Sequence, residues 1–167
     1  TVLVTDHHEV PYEELPQGEV RTILPPADAI VNPKQEGDTY PFSGICGAMV
    51  AFKVICGLYE TLGIPKTELN NLIPFAAIAT VGDVMELQDE NRIIVREGLM
   101  RLQNPENKGL KALIRVNNLE EKTITAYHIG FILGPCFNAA GRLDTIVHAL
   151  ALLESKEYDQ ALALAGE

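Results

Sequence analysis

A carboxylate and two adjacent imidazoles follow directly on a short apolar run: Val2, Leu3, Val4 and Thr5 lead into Asp6, His7 and His8. The apolar run, rich in β-branched residues, reads as a buried strand. In an open α/β fold, ligands collect beyond the carboxyl ends of the strands. Three groups able to hold a metal ion or meet a phosphate therefore fall where such folds keep their sites. The plainer alternative is a solvated turn with incidental histidines, which suits a lone His better than this cluster.

Asp83 is the second candidate. It follows the apolar residues 75–81 and Gly82. A carboxylate there is costly unless it is paired, exposed or metal-bound; the alternative is a helix-terminal Asp facing water. Imidazole nitrogen with carboxylate oxygen suits Mn²⁺, Fe²⁺ or Zn²⁺. His7 and Asp83 do not complete a site, because a two-metal hydrolase holds its ions about 3.5 to 4 Å apart with several carboxylates. Only Asp6, His7, His8 and Asp83 stand in suitable positions, so the missing ligands are expected upstream of Thr1.

Two further stretches are suited to phosphate. Ser43-Gly44 opens an apolar helical segment, where free N–H groups and the positive dipole end favour an anion; a plain N-cap is the alternative. Asn138-Ala139-Ala140-Gly141-Arg142 sets small residues beside an Arg that can fork onto a phosphate or pin a loop carboxylate. His128 and His148 read as structural. Glu90, Arg92 and Arg96 read as a solvated helix face with pairing at helical spacing.

The elements that must position these residues are few strands in front and many helices behind. After the Asp-His-His cluster, residues 9–16 read as a surface loop with one helical turn. Residues 20–24 and 27–31 read as strands, and 34–41 as a loop. Helical spacing predicts a deeply buried helix over 44–62, with Ser43 as N-cap and Gly63 as C-cap. A second buried helix is expected over 69–81, with Pro74 near its start or at a kink. A third follows, with Asp89 as cap and Ile93, Ile94, Leu99 and Leu102 as its core stripe. Short helices are expected over 109–116 and 123–133, the latter ended by Gly134-Pro135. Two terminal helices follow, over 145–153 and from 158 onward. The pattern suits the C-terminal part of a parallel-sheet α/β domain passing into a helical segment.

The chain has 167 residues, enough for a sizeable core. Its net charge of −10 argues against a nucleic-acid surface spread over this stretch. It does not exclude a nuclease core, whose carboxylates are masked by metal ions. Cys46, Cys56 and Cys136 have no Cys-x-x-Cys spacing and read as reduced thiols of a cytoplasmic protein. No apolar run approaches the roughly 18 to 20 residues that span a bilayer. Starting without Met and ending at Gly166-Glu167 inside a helical pattern, the chain is expected to be a piece of a larger protein.

Val4-Thr5-Asp6-His7-His8 resembles the signature of the DHH phosphoesterase superfamily. Further residues extend the match: Ser43-Gly44 with Val50-Ala51-Phe52-Lys53, then Ala79-Thr80-Val81-Gly82-Asp83-Val84, then Glu90-Asn91-Arg92 and Gly98-Leu99. Leu133-Gly134-Pro135 with Asn138-Ala139-Ala140-Gly141-Arg142-Leu143 is similar to a segment typical of its RecJ branch, the single-stranded-DNA-specific exonucleases. The resemblance implies a DHH catalytic domain over 1–103, lacking its first strands, and a helical extension over 104–167. It implies two divalent ions, Mn²⁺ or Mg²⁺, with His7 and Asp83 as ligands and Asp6 in or beside the metal shell. His8 would contact the scissile phosphate or orient the attacking water, with Asp6 as the second catalytic residue. Ser43, Gly44, Asn138 and Arg142 would bind substrate.

The implied reaction is 5′→3′ hydrolysis of single-stranded DNA to 5′-mononucleotides, in repair and recombination. A single-strand-binding protein and a helicase are the implied partners, and no membrane. The family's Asp-x-Asp and further acidic motif, its DHH-associated domain and its OB-fold are absent, so this piece is expected to be inactive alone. Cys136 stands where the pattern often has a basic residue. Two rivals stay open: a DHH enzyme acting on oligoribonucleotides, cyclic dinucleotides or pyrophosphate, and a non-catalytic scaffold.

Overall fold

The computed structural model describes residues 1–137 and 146–166. Asn138 and Arg142 lie outside the described residues. Two small sheets stand at the front. Strands β1 (Leu3–Thr5) and β4 (Ala29–Val31) pair in parallel, with Val4 opposite Ile30. Strands β2 (Tyr12–Glu14) and β3 (Val20–Thr22) form an antiparallel hairpin, with Glu13 opposite Arg21. The helical turn expected within residues 9–16 is therefore a strand. Pro11 and Pro16 flank β2 rather than break it, and Gly18 at φ 79° supplies the left-handed residue its turn needs. Strand β1 is not buried as expected. Val4 is half-buried, while Val2 and Leu3 are exposed on a sheet that has two strands among the described residues.

Helix α1 spans Gly47–Leu62 and ends at Gly63, whose φ of 68° marks the expected left-handed C-cap. Its start differs from the sequence reading. Cys46 is the N-cap, and its carbonyl accepts from Met49 and Val50. Residues 40–46 form an extended strap, so Ser43 is exposed and does not cap the helix. Nor is α1 deeply buried: Met49 and Val50 are covered, but Leu58 and Leu62 face outward.

A 3-10 turn (Lys66–Asn71) leads into α2 (Ile73–Gly82), with Pro74 in the first turn, where a missing N–H costs nothing. Helix α2 is apolar nearly all round, which suits a helix packed on several sides. Helix α3 (Asp89–Leu102) is its main partner. Gln88, not Asp89, is the N-cap; Asp89 is the first helical residue, at φ 42°. The α3 core stripe also shifts: Ile94, Val95, Gly98 and Leu102 are buried, whereas Ile93 is exposed. Gly98 makes the close approach possible, since a Cβ there would lie 2.2 Å from the Ala77 Cβ.

Helix α4 (Lys108–Val116) is capped by Asn107, whose side chain accepts from Leu110 N at 2.9 Å. Helix α5 (Ala126–His128) opens with a capping box between Thr125 and His128. It widens into a π turn (Ile129–Leu133) and stays helical through residues 134–137. The helix thus passes Gly134-Pro135 instead of ending there. Gly134 N–H reaches back to the Ile129 carbonyl, and this wider turn accommodates the proline that an unbroken α-helix resists. Helices α6 (Ile146–Glu154) and α7 (Tyr158–Ala165) follow.

The core divides into two clusters. One joins α1, α2 and α3 around Met49, Val50, Ala77 and Ile94. The other joins α4, the π turn, α6 and α7 around Leu110, Leu113, Ile129 and Leu152. Val81 and Leu99 pack against both. All three cysteines are free. Among the described residues, no helix is long and apolar enough to cross a membrane.

Candidate metal centre

The β1 strand hands the chain into a tight turn at Asp6. The ladder continues one step past the strand, with Asp6 N–H donating to the Val31 carbonyl at 3.0 Å. Asp6 Oδ1 then accepts from His7 N at 2.7 Å and His8 N at 3.3 Å, and lies 2.7 Å from His8 Nδ1. The His8 hydrogen bond, reinforced by the His7 amide, holds the Asp6 carboxyl well below the usual range, at about 2. Asp6 is therefore an acceptor only at neutral pH, so His8 Nδ1 donates to it. That leaves Nε2 of a neutral His8 as a proton acceptor.

Asn32 secures this turn from the side of β4. It is buried, its Nδ2 donates to the His8 carbonyl at 2.9 Å, and its Oδ1 accepts from Lys34 N. In the sequence, Asn32 reads only as the close of a strand. Its burial depends on the parallel pairing of β1 with β4, which no local pattern announces.

His7 turns the other way, toward α2. Its Nε2 lies 3.8 Å from Asp83 Oδ2, and its side chain is four-fifths covered. Gly47, the first residue of α1, backs the ring: a Cβ there would meet His7 Cδ2 at 3.3 Å. Asp83 sits at the C-terminal end of α2, its N–H bonded to the Ala79 carbonyl. A carboxylate at the negative end of a helix dipole is unfavourable, and the last turn of α2 carries no basic residue. A cation held between Asp83 and His7 would relieve that repulsion.

The fold thus brings His7 and Asp83 together, and Asp6 together with His8. Imidazole nitrogen and carboxylate oxygen at this separation fit two donors of one divalent centre. Among the described residues, no group of three or more His, Cys, Asp or Glu side chains converges to hold a metal. The His7–Asp83 pair offers two donors, fewer than a closed metal site takes.

Ser43 and Gly44 lie on the strap ahead of α1. The expected anion site at a helix start is not at these residues, because the helix begins at Gly47. The Gly44 carbonyl is instead held by Asn91 Nδ2 at 2.7 Å. Glu90 does not lie on a solvated face. Its carboxylate accepts from Lys53 Nζ at 2.5 Å and from the Tyr40 hydroxyl. Burial alone would raise the Glu90 carboxyl, but these two donors outweigh it and leave it below its ordinary value. Burial and the Glu90 carboxylate push the Tyr40 phenol up, against the opposing charge of Lys53. Arg96 instead pairs weakly with Glu97. His128 is the Thr125 capping partner, a structural role as expected. Beside Asp83, a cavity of about 380 Å³ opens between α2 and residues Gly134, Phe137 and Leu153.

No family model matches the chain. The chain is similar along nearly its whole length to RecJ single-stranded-DNA-specific exonucleases. It is 40% identical to that of Bacillus subtilis over 166 residues, 99% of this chain and 19% of the relative. It is 35% identical to that of Dickeya dadantii over 176 residues, 99% of this chain and 29% of the relative. The chain therefore spans less than a third of the length of these curated relatives. Its fold matches the crystal structure of exonuclease RecJ bound to manganese with a TM-score of 0.80, at 32% identity over 98% of this chain and 38% of that one. The RecJ of Thermus thermophilus in complex with Mn²⁺ matches with a TM-score of 0.72, at 32% identity over 85% of this chain and 21% of that one.

Proposed function

We propose that this chain is part of the catalytic core of a RecJ-type exonuclease, which as a full-length protein hydrolyses single-stranded DNA from its 5′ end. The observation that carries the reading is the approach of His7 Nε2 to Asp83 Oδ2, across elements far apart in sequence. Similarity to RecJ relatives over 99% of the chain supports it. Manganese in one structural neighbour, and Mn²⁺ or Mg²⁺ in others, supports a divalent cofactor.

His7 and Asp83 are the ligands this chain contributes, with Asp6 beside them. Divalent ions supply Lewis acidity and charge neutralisation at the phosphate. Asp6 fixes the tautomer of His8, and His8 Nε2 contacts the scissile phosphate or takes a proton from the attacking water. Ser43, Gly44, Asn138 and Arg142 contribute to binding the strand. Residues 1–103 carry the DHH part and 104–167 the helical extension. The protein works in the cytoplasm in repair and recombination, with a single-strand-binding protein and a helicase. The chain alone is inactive.

Full-length protein assayed with Mn²⁺ or Mg²⁺ on 5′-phosphorylated single strands, duplexes and dinucleotides tests this. Degradation of single strands to mononucleotides is expected. Substituting His7→Ala or Asp83→Asn weakens Mn²⁺ binding by at least about 100-fold, the upper range for losing even an outer partner of a metal ligand. Preference for dinucleotides overturns the reading.

A further inference from the structure

We propose that Asn91 is a positioning residue for the metal centre, clamping together the two backbone segments that set the distance between His7 and Asp83. This rests on the function proposed above. Asn91 lies in the first turns of α3 and is completely buried. Its Nδ2 donates to the Gly44 carbonyl at 2.7 Å and to the Glu86 carbonyl at 3.0 Å. Its Oδ1 is buried with no hydrogen-bond partner among the described residues. Only the donor half of the amide is used, although an unpaired buried acceptor is costly. What the amide contributes is therefore the link between the two carbonyls its donors join.

The joined segments are the two walls of the site. Gly44 leads through Cys46 into Gly47, against which the His7 ring rests. Glu86 closes the turn that starts at Asp83. That turn folds back on α2 through Val84 N to the Val81 carbonyl and Met85 N to the Thr80 carbonyl, with Val84 at φ 55°. A second tie runs parallel to the clamp, from Cys46 Sγ to Thr80 Oγ1 at 3.6 Å. The neighbouring Glu90 holds the other end of the strap through Tyr40. One turn of α3 thereby fixes both sides of the gap.

The test uses the full-length protein and Mn²⁺ alone as probe. Affinity is read from free Mn²⁺ by electron paramagnetic resonance, and local opening from amide hydrogen exchange without metal. Asn91→Leu is expected to weaken Mn²⁺ binding about 10- to 100-fold. Residues 40–47 and 83–88 should lose protection together, and raised Mn²⁺ should restore activity. Asn91→Ser, which keeps one hydroxyl donor, should fall between and carries the test if Asn91→Leu does not fold. Leu113→Ala, in the other core cluster, should lower thermal stability and leave Mn²⁺ affinity unchanged. In wild-type protein, Mn²⁺ should slow exchange in both segments in concert.

A folded Asn91 variant with wild-type Mn²⁺ affinity overturns the proposal. So does protection lost only within α3, an equal affinity loss in Leu113→Ala, or wild-type slowing confined to 83–88. Wild-type protein that binds no Mn²⁺ overturns the function itself; normal wild-type binding with unaffected variants overturns the clamp alone.

Discussion

Asp6 gathers two backbone amides and one imidazole on a single oxygen, and this makes the turn sensitive to acid. Its folded carboxyl lies at about 2, below the ordinary carboxylate value. A depressed acid contributes stability that is present above its unfolded pKa and lost as pH falls through its folded one. The turn should therefore hold from neutral pH down to about 4 and open between about 4 and 2. Carboxyl chemical shifts followed through an acid titration check this, and Asp6→Asn should abolish the transition. The Asp-His-His cluster and Asp83 are legible as candidates because carboxylates and imidazoles that follow directly on apolar runs stand out by residue type alone. Asn32 and Asn91 are not, since an amide's role depends wholly on which carbonyls the fold brings to it.

Between elements, the Tyr40–Lys53–Glu90 group joins the strap, α1 and α3. Burial opposes the charge on Lys53, yet its hydrogen bonds to Glu90 and Tyr40 raise it above the ordinary lysine value. Glu90 lies below the ordinary carboxylate value. The Glu90 contribution is present above the carboxylate range and lost on acidification; that of Lys53 is present below the ordinary lysine pKa and lost in strong alkali. Glu90→Gln should flatten both edges of a stability–pH profile measured by urea melts. Tyr40→Phe should cost about 1 kcal/mol, the net worth of one hydrogen bond. Solvated charge is the usual fate of Glu and Lys on helices, so their spacing could not reveal this group. Ser43 misleads for a related reason. It is the best local capping residue, but Asn91 holds the adjoining Gly44 in an extended strap, and the helix waits until Gly47. Gly63, by contrast, is legible, because a left-handed stop is a local requirement.

For the whole molecule, the two core clusters predict separable damage. Gly98→Ala forces a Cβ into Ala77 between α2 and α3, in the cluster that also packs α1. Gly109→Ala drives one into the Leu152 carbonyl, where α4 meets α6. Each should cost about 1 to 3 kcal/mol in thermal unfolding of the full-length protein. Only Gly98→Ala should also weaken Mn²⁺ binding. The α/β class and the passage into helices were legible from the order of apolar patterns. The parallel pairing of β1 with β4 was not, because it joins strands across an intervening hairpin. Nor was the helix that continues past Pro135, since the widened turn at Ile129–Leu133 is invisible to a rule that stops helices at proline. That turn holds one residue more than an α-helical turn. Each residue advances a helix by about 100°. Its presence therefore resets the angular phase between the Tyr127 and Phe131 face before it and the Phe137 face after it. A relative lacking that extra residue would keep the same helix but aim its far end in another direction.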